Sequence, residues 1–213
     1  SFLIRTSNII VNFFIMWDRF TYSLMSKYVF PHARIFDAGM GIGLEGYHLR
    51  INHFDKELYI EGGDIHKPSL EIAKKIGNAY DKIDVLDVRQ PLPYQNNEFD
   101  LGLGIAVLAH LEKDEGLSFI KELSRISKHV IISAPTKSTH NHVSINNDPD
   151  IEPLAHKSVW SHQDFPDYQI RGFYLQGRTK QTLLDTWLYP PLYTLSAINP
   201  WFTKFMQYLV IWK

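Results

Sequence analysis

Apolar runs alternate with stretches of mixed polarity along the first two thirds of the chain. Five short, largely apolar runs have the length of buried strands, at residues 33–37, 58–62, 83–86, 99–105 and 129–134. Between them, apolar residues at helical spacing predict helices at residues 44–52, 67–80 and 114–127. Strands that alternate with helices and are apolar on both faces are typical of a parallel sheet covered on both sides.

The remainder of the chain has a different pattern. Residues 5–28 carry apolar groups at helical spacing and predict an N-terminal helix, whereas residues 136–152 are polar and predict a long loop. Beyond that loop we predict the start of a short helix, a sixth strand, an aromatic stretch broken by prolines and a last strand, at residues 161–165, 168–176, 183–205 and 207–212.

Within the N-terminal helix, residues 9–16 are apolar apart from Asn12. This run is far shorter than the roughly 20 apolar residues that a membrane-spanning helix needs. We expect an amphipathic helix that lies on the domain, with contact to a membrane surface as the alternative.

Composition narrows the classes of function. The chain has 213 residues, which fits one domain. Its net charge of −1 shows no basic excess, so we expect no nucleic-acid partner. The absence of cysteine excludes a cysteine nucleophile and a thiolate metal site, and it fits a reducing compartment. We expect a cytoplasmic protein. Nothing in the composition predicts an oligomeric state.

Three alternating glycines, Gly39, Gly41 and Gly43, follow the first predicted strand directly. Without side chains, a loop there can turn its backbone N–H groups towards a ligand. A dinucleotide pyrophosphate and the amino-acid part of S-adenosylmethionine both fit such a loop. Residues 41–46 also match the pattern G-x-G-x-x-G, which by itself is a weak signal.

A carboxylate, Asp64, follows the second predicted strand about 20 residues after the glycines. At that place a carboxylate can accept hydrogen bonds from both ribose hydroxyls of an adenosine. The alternative is a structural role, in which Asp64 caps the helix that begins near Pro68.

Five segments of the chain resemble class I S-adenosylmethionine-dependent methyltransferases with a type 11-like domain. They lie in the order and spacing of that family, at residues 35–43, 62–73, 84–100, 108–111 and 122–126. In the first of them an acid, Asp37, precedes the first glycine by two positions, which nicotinamide-binding proteins usually lack. The usual Lys-Pro-Gly-Gly turn before the fifth strand is missing here, so that turn must be tighter.

The resemblance implies a Rossmann-like, doubly wound α/β fold. Its mostly parallel sheet has seven strands with helices on both faces, and the last strand is antiparallel and lies between the fifth and the sixth. We expect a single domain over residues 1–213. Residues 1–30 would hold the N-terminal helix, residues 33–135 the cofactor-binding half, and residues 136–213 the acceptor-side half.

The resemblance also implies S-adenosyl-L-methionine as cofactor and assigns its contacts. Asp37 would reach the amino group, and the loop residues Gly39, Met40, Gly41 and Gly43 would hold the methionine part. Asp64 would bind the ribose, and Ile65 would pack on the adenine. Further adenine and sulfonium contacts are assigned to Asp87, Val88, Gly104 and Ile105. For Asp87 the alternative is the cap of a turn.

Histidines are candidates for acceptor chemistry. His110, after the fourth strand, is the best-placed general base, because its ordinary pKa suits proton removal at neutral pH. The alternative is a structural histidine bonded to the backbone. A second cluster could bind a metal, shape the acceptor pocket or lie in solvated loops, and consists of His140, His142, His156 and His162. Because their spacing is irregular, we predict no metal site.

Aromatic residues in the last third of the chain are either core or pocket. Trp160 is a pocket or a packing residue with equal support. A further aromatic group predicts a helical crossover over the sheet, with a lid, a dimer face or a membrane contact as alternatives; it comprises Trp187, Tyr189, Tyr193, Trp201 and Phe202.

These observations predict methyl transfer to a small-molecule acceptor such as a sugar, lipid or metabolite. One alternative is a nicotinamide (NAD)-dependent oxidoreductase. The other is a non-catalytic module that has kept the fold and the cofactor.

Overall fold

A single seven-stranded sheet organises the molecule. The computed structural model describes residues 21–136, 155–175, 194–196 and 198–213. The strands are β1 (Arg34–Ala38), β2 (Tyr59–Asp64), β3 (Lys82–Val85), β4 (Phe99–Gly104), β5 (Ser127–Pro135), β6 (Gln169–Leu175) and β7 (Met206–Trp212). Their order across the sheet is β3-β2-β1-β4-β5-β7-β6. The predicted Rossmann-like fold is confirmed.

The last strand has the predicted orientation and place. β7 pairs antiparallel with β5 on one side and with β6 on the other, whereas the pairs among β1 to β5 are parallel. β7 thus inserts between two strands that precede it in the chain. An antiparallel strand can return directly beside its neighbour, while a parallel one needs a crossover.

Helices cover both faces of the sheet. They are α1 (residues 21–26, the described part of the predicted N-terminal helix), α2 (Leu44–Asn52), α3 (Lys67–Ile76) and α4 (Lys113–Ile126). Short 3-10 turns lie at Leu108–His110, His162–Asp164 and Pro200–Phe205. The prediction that α3 continues to residue 80 is wrong. The helix ends at Ile76, because the next residue, Gly77, has a φ of 132°, which no helix accommodates.

The core has two parts, one on each face of the sheet. Consecutive residues of a strand point to opposite faces. Accordingly, Ile35 packs with buried residues of α1, α2 and α3, whereas the next residue, Phe36, packs with those of α4. The two clusters enclose β1 completely, which explains its uninterrupted apolar sequence.

The connection between α4 and β5 is as tight as the missing Lys-Pro-Gly-Gly turn predicts. The helix ends at Ile126, and the strand begins at Ser127 with extended backbone. The other end of α4 has a capping box. The side chain of Glu112 accepts the backbone N–H of Glu115, and the side chain of Glu115 accepts that of Glu112.

Several predictions fall outside the described residues. These are most of the N-terminal helix including residues 9–16, the polar loop after Thr136, and the aromatic residues Trp187, Tyr189 and Tyr193. Among the helices that the structure describes, none is both long and apolar enough to cross a membrane.

Candidate cofactor site

The candidate site lies where the carboxyl ends of β1, β2 and β4 meet. β1 pairs with β2 on one side and with β4 on the other, so the strand order reverses there. Open α/β sheets bind their ligands at such a switch point, beyond the carboxyl ends of the strands. The topology therefore brings the glycine loop, Asp64 and the end of β4 to one edge.

The glycine loop is tied to β2 at its start. The N–H groups of Gly39 and Met40 both donate to the carbonyl of Gly63, at 2.7 Å and 3.2 Å. A side chain on Gly39 would collide with Val107, and one on Gly43 would come within 2.8 Å of the Tyr80 ring.

Gly41, in the middle of the loop, faces open space. An added Cβ there would meet no atom within 4 Å, although its φ of 53° still favours glycine. The outer glycines are therefore required by packing, and the middle one presents bare backbone at the edge of the sheet.

Asp64 holds this loop in place. Its Oδ2 accepts the N–H of Gly41 at 2.8 Å, and its Oδ1 accepts the N–H of His66 at 2.7 Å. The residue that caps α3 is His66, so Asp64 shapes the turn before the helix. A carboxylate has about four acceptor positions, so each oxygen keeps capacity for a further donor such as a ribose hydroxyl.

The next predicted contacts differ in accessibility. The side chain of Ile65 is 39% exposed beside Asp64, as an apolar platform for a base requires. The side chain of Met40 is buried in the core against Gly62, and its N–H and carbonyl are bonded to Gly63 and Gly43. Val88 is partly buried and packs against the core cluster on the α4 side of the sheet.

The carboxylate of Asp87 accepts hydrogen bonds from its neighbour Arg89. The backbone N–H of Arg89 donates to Oδ1 at 3.0 Å, and the guanidinium reaches both oxygens, with Nη2 at 2.8 Å from Oδ2. This bond lowers the pKa of Asp87. The turn role that the sequence left open is present, and an adenine amino group would have to compete with the guanidinium.

The end of β4 carries a backbone feature that the sequence did not predict. After Gly104 and Ile105, Ala106 has a φ of 60°, which is uncommon for a residue with a side chain. Its N–H donates to Oγ of Ser133 on β5 at 2.6 Å. No pattern in the sequence signals this contact, because it joins two distant strands.

His110 lies in the 3-10 turn after β4. Its Nδ1 is 3.2 Å from the carbonyl oxygen of Ala155, and its ring meets that of His156 edge-on at 5.1 Å. The backbone contact that was the alternative for His110 is therefore present. Burial, and then the charge of His110, lower the pKa of His156.

The segment around His156 is pinned to the same turn. The N–H of Lys157 donates to the carbonyl of Ala109 at 2.7 Å, and Oγ of Ser158 donates to that of Leu108 at 2.8 Å. Trp160 is buried, with its Nε1 2.9 Å from Oγ of Ser158. Trp160 is thus a packing residue that seats this segment.

The described members of the remaining candidates lie in separate short turns. His162 begins a separate 3-10 turn, while His140 and His142 lie outside the described residues. Over the described parts of the chain, no group of three or more His, Cys, Asp or Glu could hold a metal ion. Trp201 and Phe202 pack on each other near β7, with Trp201 47% exposed.

A buried acid and a tyrosine lie beneath the loop. Asp37 is 1% exposed and accepts a hydrogen bond of 2.5 Å from the hydroxyl of Tyr80. Burial, and then the negative charge of Glu45, raise the pKa of Asp37 well above its ordinary value, while the Tyr80 bond opposes the shift. The sequence analysis missed Tyr80, because only the fold brings it to β1.

Comparisons with known proteins agree with this geometry. Residues 36–130 match the family model described as a methyltransferase domain. No curated protein matches the chain. The chain spans 55% and 52% of the length of two solved archaeal structures that it also matches.

Three solved structures share the fold over most of the chain. A SAM dependent methyltransferase from Archaeoglobus fulgidus is 15% identical, with 89% of each chain covered and a TM-score of 0.56. The magnesium protoporphyrin IX methyltransferase of Synechocystis PCC 6803, with bound SAH, is 18% identical (97% and 84% covered, TM-score 0.55). The [4+2]-cyclase SpnF is 16% identical (92% and 79% covered, TM-score 0.55).

At these identities the structural likeness establishes the fold, and the family match covers the segment that builds the cofactor edge. That segment contains the glycine loop, Asp64 and the end of β4. Residues 36–130 thus match a methyltransferase-domain model, and the fold around them is shared with solved S-adenosylmethionine-dependent methyltransferases.

Proposed function

We propose that this chain transfers a methyl group from S-adenosylmethionine to a small-molecule acceptor, such as a sugar, lipid or metabolite. The observation that carries the proposal is the bare backbone of Gly41 beside Asp64 and Ile65, at the switch point of the sheet. Open space beside a glycine, a carboxylate with free acceptor capacity and an exposed apolar side chain suit an adenosyl group.

Each residue of this edge contacts a different part of the cofactor. Asp64 accepts from the ribose, and Ile65 supports one face of the adenine. Asp37 stands under the loop as the acceptor for the ammonium group. Gly104 and Ile105 line the end of β4, which faces the same edge. Asp87 serves the adenine amino group once Arg89 turns away.

The cofactor supplies an activated methyl group on its sulfonium. The residues of the chain have to align the acceptor and exclude water, and positioning of this kind is worth roughly 7–11 kcal/mol. The segment from Ala155 to Trp160 is held against the turn after β4 by several hydrogen bonds. It therefore forms a fixed wall on the acceptor side.

His110 is the candidate general base for acceptors that lose a proton. When Nδ1 carries the hydrogen and donates it to the carbonyl of Ala155, Nε2 is left with its lone pair. This tautomer presents a base, which acceptors that are already nucleophilic do not require.

Ligand-dependent thermal unfolding tests the cofactor. We expect S-adenosylhomocysteine to raise the unfolding temperature and NAD⁺ to leave it unchanged, because only a ligand that binds the folded state stabilises it. A shift with NAD⁺ alone would favour the oxidoreductase.

Turnover tests the reaction. The protein with S-adenosylmethionine and pools of sugars, lipids or small metabolites should release S-adenosylhomocysteine with at least one pool, and His110→Gln should reduce kcat for acceptors that are protonated. Cofactor binding without turnover in any pool would support the non-catalytic module.

A further inference from the structure

Tyr80 occupies the space between three parts of the cofactor edge. It lies in the short segment between α3 and β3 and is buried. A Cβ added to Gly62 on β2 would come within 2.9 Å of its ring, and one added to Gly43 within 2.8 Å. A Cβ on Gly46 of α2 would collide with the ring outright. The three glycines thus make room for one aromatic side chain.

The hydroxyl of Tyr80 connects α2 to β1. It donates to Oδ2 of Asp37 at 2.5 Å and accepts the N–H of Gly46 at 3.0 Å. Gly46 lies in the first turn of α2, whose N–H groups have no partner within the helix. The residue that precedes the helix, Gly43, makes no side-chain cap. Tyr80 therefore caps α2 from outside and joins it to β1.

Among the described residues, the groups that act on the Asp37 carboxyl are negative or neutral. The described groups that act on its carboxyl are Glu45 from α2, Asp64 from the end of β2 and the hydroxyl of Tyr80. The two carboxylates oppose a negative charge on Asp37, the hydroxyl stabilises it through a hydrogen bond, and none of these three groups is positive. A cationic ligand at the glycine loop would supply the missing charge.

We propose that Tyr80 is a positioning residue for the cofactor: its ring sets the glycine loop, and its hydroxyl holds Asp37 as an acceptor for the ammonium group of S-adenosylmethionine. This inference rests on the proposed function. Because Asp37 binds an ammonium group only as an anion, cofactor affinity falls as Asp37 takes up a proton. The Tyr80 hydrogen bond stabilises the anion, so it lowers the pH at which that loss occurs.

The test compares Tyr80→Phe with Tyr47→Phe. The hydroxyl of Tyr47 is buried on α2 with no hydrogen-bond partner among the described residues, so its removal controls for the loss of a tyrosine hydroxyl on the same helix. The affinity for S-adenosylhomocysteine, which keeps the ammonium group, is measured by calorimetry from about pH 5 to about pH 8.

We expect Tyr80→Phe to weaken binding about tenfold near neutral pH, roughly 1.4 kcal/mol. Its affinity should begin to fall about one pH unit higher than that of the wild type, as the loss of one hydrogen bond to a charged group predicts. Tyr47→Phe should follow the wild-type curve.

Three outcomes would overturn the inference. Tyr80→Phe could match the wild type at every pH, or it could weaken binding equally at every pH, as a purely structural residue would. If Tyr80→Phe does not fold, Asp37→Asn decides the question. This variant should bind S-adenosylhomocysteine weakly and lose the pH dependence of the wild-type affinity. An Asp37→Asn variant that retains this pH dependence would contradict the proposal. A wild type that binds no S-adenosylhomocysteine at any pH would instead overturn the proposed function.

Discussion

Asp64 serves the fold and the proposed site with the same carboxyl group. Its two oxygens bind backbone N–H groups on either side, at Gly41 and His66, and both retain acceptor capacity. A side chain fixed in this way needs no reorganisation when a ribose arrives, which favours binding. The sequence could identify Asp64 and the glycines, since both follow predicted strands at known spacing. It could not identify Ala106 or Ser133.

Replacement of Asp64 tests the ribose contact. We expect Asp64→Ala to weaken S-adenosylhomocysteine binding at least tenfold, roughly 1.4 kcal/mol, through the loss of charge-assisted hydrogen bonds. Calorimetry at neutral pH measures this change.

Asp100→Ala is the matched control for that experiment. Asp100 accepts the N–H of Arg34 and a bond from Lys128, at the opposite edge of the sheet. Both variants should lose stability, but only Asp64→Ala should lose affinity. Equal affinities in the two variants would count against the ribose assignment.

At the scale of elements, the loop between β3 and β4 is fastened to α4. Arg125 donates to the carbonyls of Leu92 and Tyr94 at 3.0 Å and 2.8 Å. Glu122 accepts the N–H of Leu92 at 3.1 Å and pairs with Arg125 at 2.9 Å. Asp87 lies near the start of this loop, so α4 anchors the loop that carries the proposed adenine contact. The turn residues predict a loop here, but its partner is decided by the fold.

The pair gives the stability of the protein a defined pH dependence. Arg125 lowers the pKa of Glu122 below its ordinary 4.5. A lowered carboxyl pKa contributes stability above the unfolded-state value, and that contribution disappears as the pH falls through the folded-state pKa. We expect Glu122→Gln to cost about 1 kcal/mol at neutral pH and progressively less below pH 4.5.

Urea unfolding at several pH values measures this difference. Glu71→Gln is the control, because Glu71 pairs with Lys74 at the same helical spacing but in an exposed position. It should change stability by less than about 0.5 kcal/mol. A Glu122 effect that persists unchanged into acid would contradict the assigned ion pair.

For the whole molecule, the last strand completes the core. Ile211 on β7 is fully buried and packs in the same cluster as Phe36 of β1, although they are far apart in sequence. The core of the cofactor half is therefore continuous with residues of the last strand. The described parts form one sheet, so the acceptor side and the cofactor side share their stability.

Replacement of Ile211 tests this dependence. Ile211→Ala should cost about 2–5 kcal/mol and lower a single unfolding transition, because it leaves a cavity in the shared core. Ile51→Ala, at a position that is 69% exposed, should change stability by less than about 0.5 kcal/mol. Circular dichroism and tryptophan fluorescence during urea unfolding should give coincident curves. Two separate transitions would show that the halves unfold independently.

The sequence by itself determined the strand and helix rhythm, the glycine loop and the acids that follow the strands, because periodicity and local turn chemistry are properties of neighbouring residues. It also predicted the tight α4–β5 turn from a missing motif. Only the tertiary structure decided the end of α3, the buried place of Trp160, and the bonds of Tyr80 and Ser133. Those features depend on contacts between segments distant in the chain, and no local pattern encodes which partner a side chain meets.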